Sequence, residues 1–326
     1  MKRYRWLFWA IAAISAVFAV RYAARFPWTV TVDSLRHASW LLLALAGAAS
    51  LGSVVAKGWA WHVLLRPAWR HRWVEAQAAT VAGAAVSAVS VSISGEAARL
   101  QALAGRGDPP LSPLMSSIVW SRITEAIALA VFLAGSLVLL PPARWIRTAR
   151  IAAAVVLALV GLLWLSGIWR RLVARLPSRW QHVAGLGAVT GTPPLPLPVA
   201  LGVANWALQW LAYHLSIVSV GIVAPPGAAL AALVAANLGG ILRLTPGNVG
   251  VLQASIVMGL LPFGVTADRA LAAGLALQAV QVLPVLLAGA LVAGRAAWPW
   301  GAKAMPPVST SGAGSGADSG TGGSEG

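Results

Sequence analysis

Long apolar runs, separated by short polar or basic segments, dominate the chain. They cover residues 6–20, 40–65, 114–140, 151–169, 199–223 and 270–292. Most approach or exceed the ~20 residues an α-helix needs to cross a bilayer core. The first is the shortest: at ~1.5 Å per residue it reaches only ~22 Å. Its flanking arginines must snorkel, or the helix must run on past Arg21. Lys2, Arg3 and Arg5 before this run imitate a signal peptide. Arg21 and Arg25 follow at once, however, and no clean small-x-small site appears, so a retained span is expected.

Two further runs, 74–94 and 228–243, are apolar but weak, made largely of Ala, Gly, Val and Ser. The first carries Ser87, Ser90, Ser92 and Ser94 and leads into Gly95-Glu96-Ala97-Ala98-Arg99. The second carries Asn237, Gly239 and Gly240 and leads into Thr245-Pro246-Gly247-Asn248-Val249-Gly250. Broken backbone at membrane depth is tolerated only where it is buried in protein or lines a wet cavity. Gly- or Pro-interrupted segments at corresponding places in two halves point to a transport site. Small residues also serve close helix packing, the competing explanation.

These elements predict an all-α, polytopic integral membrane helical bundle. It has about six spans plus two re-entrant broken-helix hairpins, arranged as an inverted repeat. Residues 1–300 form one transmembrane domain, with halves 1–169 and 199–300 joined by the basic, then Pro-rich segment 170–198. Residues 301–326, rich in Gly, Ser and Pro, are expected to be disordered. Pro284 is expected to kink the last span. With the N-terminus inside, the basic segments 66–72, 99–106, 170–179 and 295–303 all fall inside. The segments 21–36 and 144–150 fall outside. This agrees with the positive-inside bias, apart from the Arg144 cluster, and puts both termini in the cytoplasm. The two hairpins then enter from opposite faces.

Composition removes the main alternatives. Only 10% of residues are charged and 59% are hydrophobic. A soluble domain carries roughly 25% charged residues, so a soluble enzyme or nucleic-acid-binding domain is excluded. The formal charge of +16 does not restore a nucleic-acid reading, because its arginines lie between apolar runs, where they set topology. Many of the 17 Trp residues fall at run edges, at headgroup level. The absence of Cys excludes disulfides and thiolate metal sites.

Most of the eight carboxylates fit loops, edges or the tail. Glu96 and Glu125 do not. Arg122 and Glu125 stand i,i+3 within a span, and Glu96 and Arg99 repeat that spacing after the first break. A charge at the bilayer centre costs at least ~2.5 kcal/mol, so these four groups must pair or face a wet cavity. A purely structural ion-pair network is the alternative. Lys57 is read as a snorkelling interface lysine. His214, near Asn205 and Gln209, is read as packing. No nucleophile motif, zinc-binding helix or nucleotide-binding glycine loop is present. The expectation is a protein with no enzymatic activity, cofactor or metal.

The stretches Ser94-Gly95-Glu96-Ala97-Ala98-Arg99, Ser121-Arg122-Ile123-Thr124-Glu125 and Thr245-Pro246-Gly247-Asn248-Val249-Gly250 resemble the transmembrane region of lysylphosphatidylglycerol synthase. This is the flippase-like membrane domain of the multiple peptide resistance factor, which also occurs free-standing. The family pattern departs here in three places. Ser92-Ile93-Ser94 replaces the usual Pro before Gly-Glu, Asn248 stands where Gly is common, and Gln253 stands where an acidic residue often follows. The resemblance implies translocation or binding of an anionic lipid or lipid-linked substrate in envelope-lipid biogenesis, at the bacterial cytoplasmic (inner) membrane. It implies substrate contacts by Gly95, Glu96, Arg99, Arg122, Glu125, Pro246, Gly247 and Gly250. The alternative is a non-transporting subunit that docks an envelope-lipid biosynthetic enzyme through 170–198. No aminoacyl-transferase part follows in this sequence, so lipid aminoacylation is not expected.

Overall fold

The computed structural model describes residues 28–67, 69–90, 93–104, 111–135, scattered positions between 147 and 162, 196–240 and 248–295. The expected first span, most of the 151–169 span, nearly all of the 170–198 segment, Pro246, Gly247 and the tail lie outside the described residues. The regular elements described are all helical: α1 (Trp28–Arg36), α2 (Trp40–Leu65), α3 (Trp73–Val89), α4 (Ile93–Ala104), α5 (Leu111–Gly135), α6 (Pro196–Ser219), α7 (Pro226–Gly240), α8 (Val251–Leu260) and α9 (Ala267–Arg295), with a 3-10 turn at Leu261–Phe263.

The order long helix, two short helices, long helix occurs twice, as α2 to α5 and as α6 to α9. Among the described helices, Trp40–Leu65, Leu114–Gly135 and Ala267–Gly294 are long and apolar enough to cross a membrane. α6 is also long, with 24 residues. Its Pro196, Pro198, Asn205, Gln209 and His214 make it more polar, and it is not among those three. Proline sits where helices accept it: Pro196 and Pro198 open α6, and Pro113 lies in the first turn of α5. Pro284 lies inside α9.

Small residues let the short helices pair. α3 and α4 run antiparallel, since Gly95 approaches Ser87 and Gly83 while Leu103 packs in one cluster with Ala76 and Ala79. A Cβ on Gly83 would come 2.7 Å from the Gly95 carbonyl oxygen and 3.0 Å from Arg99 Cβ. A Cβ on Gly95 would overlap Ser87 Oγ. α7 and α8 pair the same way. A Cβ on Gly239 would overlap Ser255 Oγ, and one on Gly259 would come 2.6 Å from Ala232 Cα. Each weak run therefore supplies the first helix of an antiparallel pair of short helices, and close packing through small residues is part of the reason.

The first break differs in place from the expectation. It was expected at Ser94-Gly95, but α3 ends at Val89 and α4 begins at Ile93. Ser90 adopts extended backbone, with φ −131 and ψ −178, and its hydroxyl donates to the Val86 carbonyl. Serine competes with the helix for backbone partners in this way. Gly95 thus belongs to the first turn of α4, where its lack of a side chain permits contact with α3.

Two ends of the bundle are tied. Thr31 Oγ1 donates to the Asp268 carbonyl at 3.0 Å, and Ser39 N donates to the Ser219 carbonyl at 2.8 Å. The starts of α2 and α9 therefore lie at the same end as the finish of α6. At the other end of α2, His62 Nδ1 and His71 Nε2 share a hydrogen bond of 2.9 Å.

Candidate functional site

α2, α3, α4, α5, α6 and α9 surround a cavity of about 340 Å³. α2 contributes Val54 and, at helical spacing on an otherwise apolar helix, the polar stripe Ser50, Ser53 and Lys57. The α3–α4 pair contributes Thr80, Ser87, Gly95, Glu96 and Arg99. Arg122 comes from α5, Asn205 and Gln209 from α6, and Gln281 from α9.

Charged side chains form one alternating chain along this cavity. Lys57 Nζ lies 2.9 Å from Glu125 Oε1. Glu125 Oε2 accepts from Arg122 Nη1 at 3.1 Å, and Arg122 Nη2 donates to Glu96 Oε1. Glu96 Oε2 is 3.7 Å from Arg99 Nη1. Arg122 uses the fork of its guanidinium to bridge both carboxylates, which a lysine cannot do with fixed geometry. The order is Lys57, Glu125, Arg122, Glu96, Arg99, with a cation at each end.

Arg99 is the most enclosed of the five, 3% exposed. Its Cζ lies 3.7 Å above the centroid of the Trp61 ring, a cation–π contact. Trp61 is itself held, its Nε1 donating to Ser117 Oγ at 3.0 Å. Gly83 leaves the room that Arg99 Cβ occupies. Arg99 Nε and Nη2 are buried and have no hydrogen-bond partner among the described residues. Leaving charged donors unmet is costly, so this edge is suited to an incoming anion. Arg122 is the accessible member, its side chain 44% exposed.

The structure brings together Gly95, Glu96, Arg99, Arg122 and Glu125. All but Glu125 line the cavity, and Glu125 joins it through Lys57 and Arg122. Gly250 is elsewhere. It caps α8 with φ 85, its N–H donating to Gln253 Oε1 at 2.7 Å. Gln253 Nε2 in turn donates to Gln278 Oε1 at 2.9 Å, tying α8 to α9. The glutamine found where the family often has an acid is thus a cap and a helix tie.

Lys57 corrects the sequence reading: it is half-buried and paired with Glu125, not snorkelling at an interface. Sequence reasoning also missed Ser50, Ser53, Thr80, Gln281 and Trp61. The spacing of Ser50, Ser53 and Lys57 on one helix face was the available signal. His214 is not among the cavity residues and stacks near Trp210, with centroids 6.4 Å apart. Its neighbours Asn205 and Gln209 are the cavity residues, and Gln209 Nε2 donates to Asn205 Oδ1 at 3.3 Å.

Residues 8–289 match the family described as Lysylphosphatidylglycerol synthase TM region. Comparison with the curated proteins found no match. With apolar helices long enough to span, and with most of its length matched, the chain belongs to the lysylphosphatidylglycerol synthase transmembrane-region family and is a membrane protein linked to lipid biogenesis.

Proposed function

We propose that the protein carries the headgroup of an anionic lipid or lipid-linked substrate across the bacterial cytoplasmic membrane, in envelope-lipid biogenesis. The observation that carries this reading is Arg99: a buried guanidinium, backed by Trp61, with Nε and Nη2 unpartnered among the described residues, on the wall of a polar cavity. A phosphate oxygen satisfies those donors, and planar arginine suits phosphate bidentately. Glu96 and Glu125 balance the arginines when no headgroup is present, since unpaired buried charge is very costly. On binding, the headgroup takes over donors from the carboxylates, while its tail stays in lipid. The reading is transport and requires no bond to be made or broken.

The test is headgroup translocation in liposomes reconstituted with the purified protein. Arg99→Gln should reduce the rate to that of protein-free liposomes, while replacement of 170–198 by a neutral linker should leave most of it. A wild-type protein that moves no anionic headgroup, together with loss of cellular function on replacing 170–198, would favour the docking subunit instead.

A further inference from the structure

We infer that the second half of the chain carries an uncharged copy of the ion-pair chain, and that its member in the cavity, Gln281, is a second and weaker contact for the headgroup, made after the arginines. This inference rests on the anionic-headgroup reading above and adds the step that follows binding.

Positions along the helices repeat first. Lys57 lies 17 residues past the first residue of α2, and Tyr213 lies 17 past the first of α6. Arg122 and Glu125 lie 11 and 14 past the first of α5, and Gln278 and Gln281 lie 11 and 14 past the first of α9. Glu96 stands in the first turn of α4, three past Ile93, and Gln253 in the first turn of α8, two past Val251. The contacts repeat as well. Lys57 pairs with Glu125, and the Tyr213 side chain hydrogen-bonds that of Gln281. Arg122 donates to Glu96, and Gln253 Nε2 donates to Gln278 Oε1 at 2.9 Å. In each set of four helices, two residues i,i+3 on the last helix tie it to the first long helix and to the second short one. Each charge of the first network has a neutral group in its place in the second. Arg99, three residues past Glu96, has no polar counterpart: three past Gln253 is Ile256, buried and apolar.

The loss of charge sets the relative strength of the two networks. Hydrogen bonds to phosphate from a charged donor are roughly twice as strong as neutral ones. An amide both donates and accepts, so Gln281 can hold a polar group without a counter-ion. A translocation path needs sites strong enough to fill and weak enough to empty. Gln281 on α9, with Asn205 and Gln209 on α6, lines the same cavity as Arg99 and Arg122, so a headgroup can pass between them inside it. Tyr213 is buried outside that lining and acts as a positioning residue, holding the Gln281 amide.

The experiment separates binding from movement in the wild type, Gln281→Leu and Tyr213→Phe. Native mass spectrometry reads phosphatidylglycerol retained on the purified protein. Reconstituted liposomes read the movement of phosphatidylglycerol that carries a quenchable dye on one acyl chain. Gln281→Leu should retain the lipid within about twofold of wild type and move it roughly tenfold more slowly. Tyr213→Phe keeps the amide but frees its position, and should slow movement about threefold with retention unchanged. It decides the matter alone if Gln281→Leu misfolds. Movement at the wild-type rate in the folded variants overturns this inference and leaves the anionic-headgroup reading standing. Parallel loss of retention and movement also overturns it, because Gln281 then belongs to the arginines' binding step or to the fold. A wild-type protein that moves no labelled lipid overturns the anionic-headgroup reading itself, and this inference with it.

Discussion

Lys57 on α2 and Glu125 on α5 meet with Nζ 2.9 Å from Oε1, which fastens two long helices to one another at the cavity. Removing the lysine leaves Glu125 with Arg122 as its remaining cation in the ion-pair chain. Lys57→Met should therefore lower the melting temperature in detergent, and adding Glu125→Gln should recover part of the loss. Coupling within such networks is about 1–2 kcal/mol. Strict additivity of the two substitutions in thermal melts would show that the contact carries no energy.

The α3–α4 pair depends on missing side chains. Gly83→Ala should force the Gly95 carbonyl and Arg99 Cβ away, lowering stability and displacing the guanidinium from Trp61. Gly250→Ala is a useful contrast. Its Cβ meets open space, so only the strain of φ 85 with ψ −49 remains, about 1–3 kcal/mol. Tryptophan emission with thermal melts separates the two: both variants should melt earlier, and only Gly83→Ala should alter the Trp61 environment.

Gln253 tests the second half of the molecule. Gln253→Leu removes both the cap on Gly250 N and the tie to Gln278, and should cost about 1–2 kcal/mol. Gln253→Glu keeps an acceptor for the cap, and Gln278 can turn its amide to donate. At mildly acidic pH, where a carboxyl at this buried position is neutral, it should lose less than Gln253→Leu. Equal losses for the two variants would show that the carbonyl-type oxygen is not the group that matters.

Opposite entry of the two short-helix pairs has a direct readout, because the chain lacks cysteine. Arg70 stands in the basic segment before α3, and Val223 is fully exposed in the turn before α7. Arg70→Cys should label only from the cytoplasmic face of intact cells and Val223→Cys only from the outer face. Labelling of both from one face would rule out the inverted arrangement.

Much of this was legible in the chain, for physical reasons. Apolar runs announce long helices, and unpaired charges in such runs are costly enough that Glu96, Arg99, Arg122 and Glu125 had to meet something. Their i,i+3 spacing gave two of the four links. The link between Arg122 and Glu96 joins α5 to α4, and no spacing rule reaches across helices. Lys57 was misread because a lysine in the second half of a span has the same local signature whether it snorkels or turns inward. The neighbouring Ser50 and Ser53 decide between the two, and only as a face of α2. The first break was misplaced by a few residues because Gly95 looked like the breaker. Ser90 takes that role by turning its hydroxyl onto Val86, while the glycine serves helix contact.

The sharpest test of headgroup transport through this ion-pair chain is the translocation rate of Arg122→Gln/Glu125→Gln in liposomes, read beside its melting temperature. The pair removes one positive and one negative charge together, so net charge is kept, while Lys57 loses Glu125 and Glu96 keeps only its longer link to Arg99. Transport by the guanidinium chain predicts a folded protein with a cooperative but lowered melting transition, since the Lys57–Glu125 link is lost, and headgroup movement at the level of protein-free liposomes. Wild-type translocation by this double variant would contradict it, and would reduce the charges to a device that sets helix register.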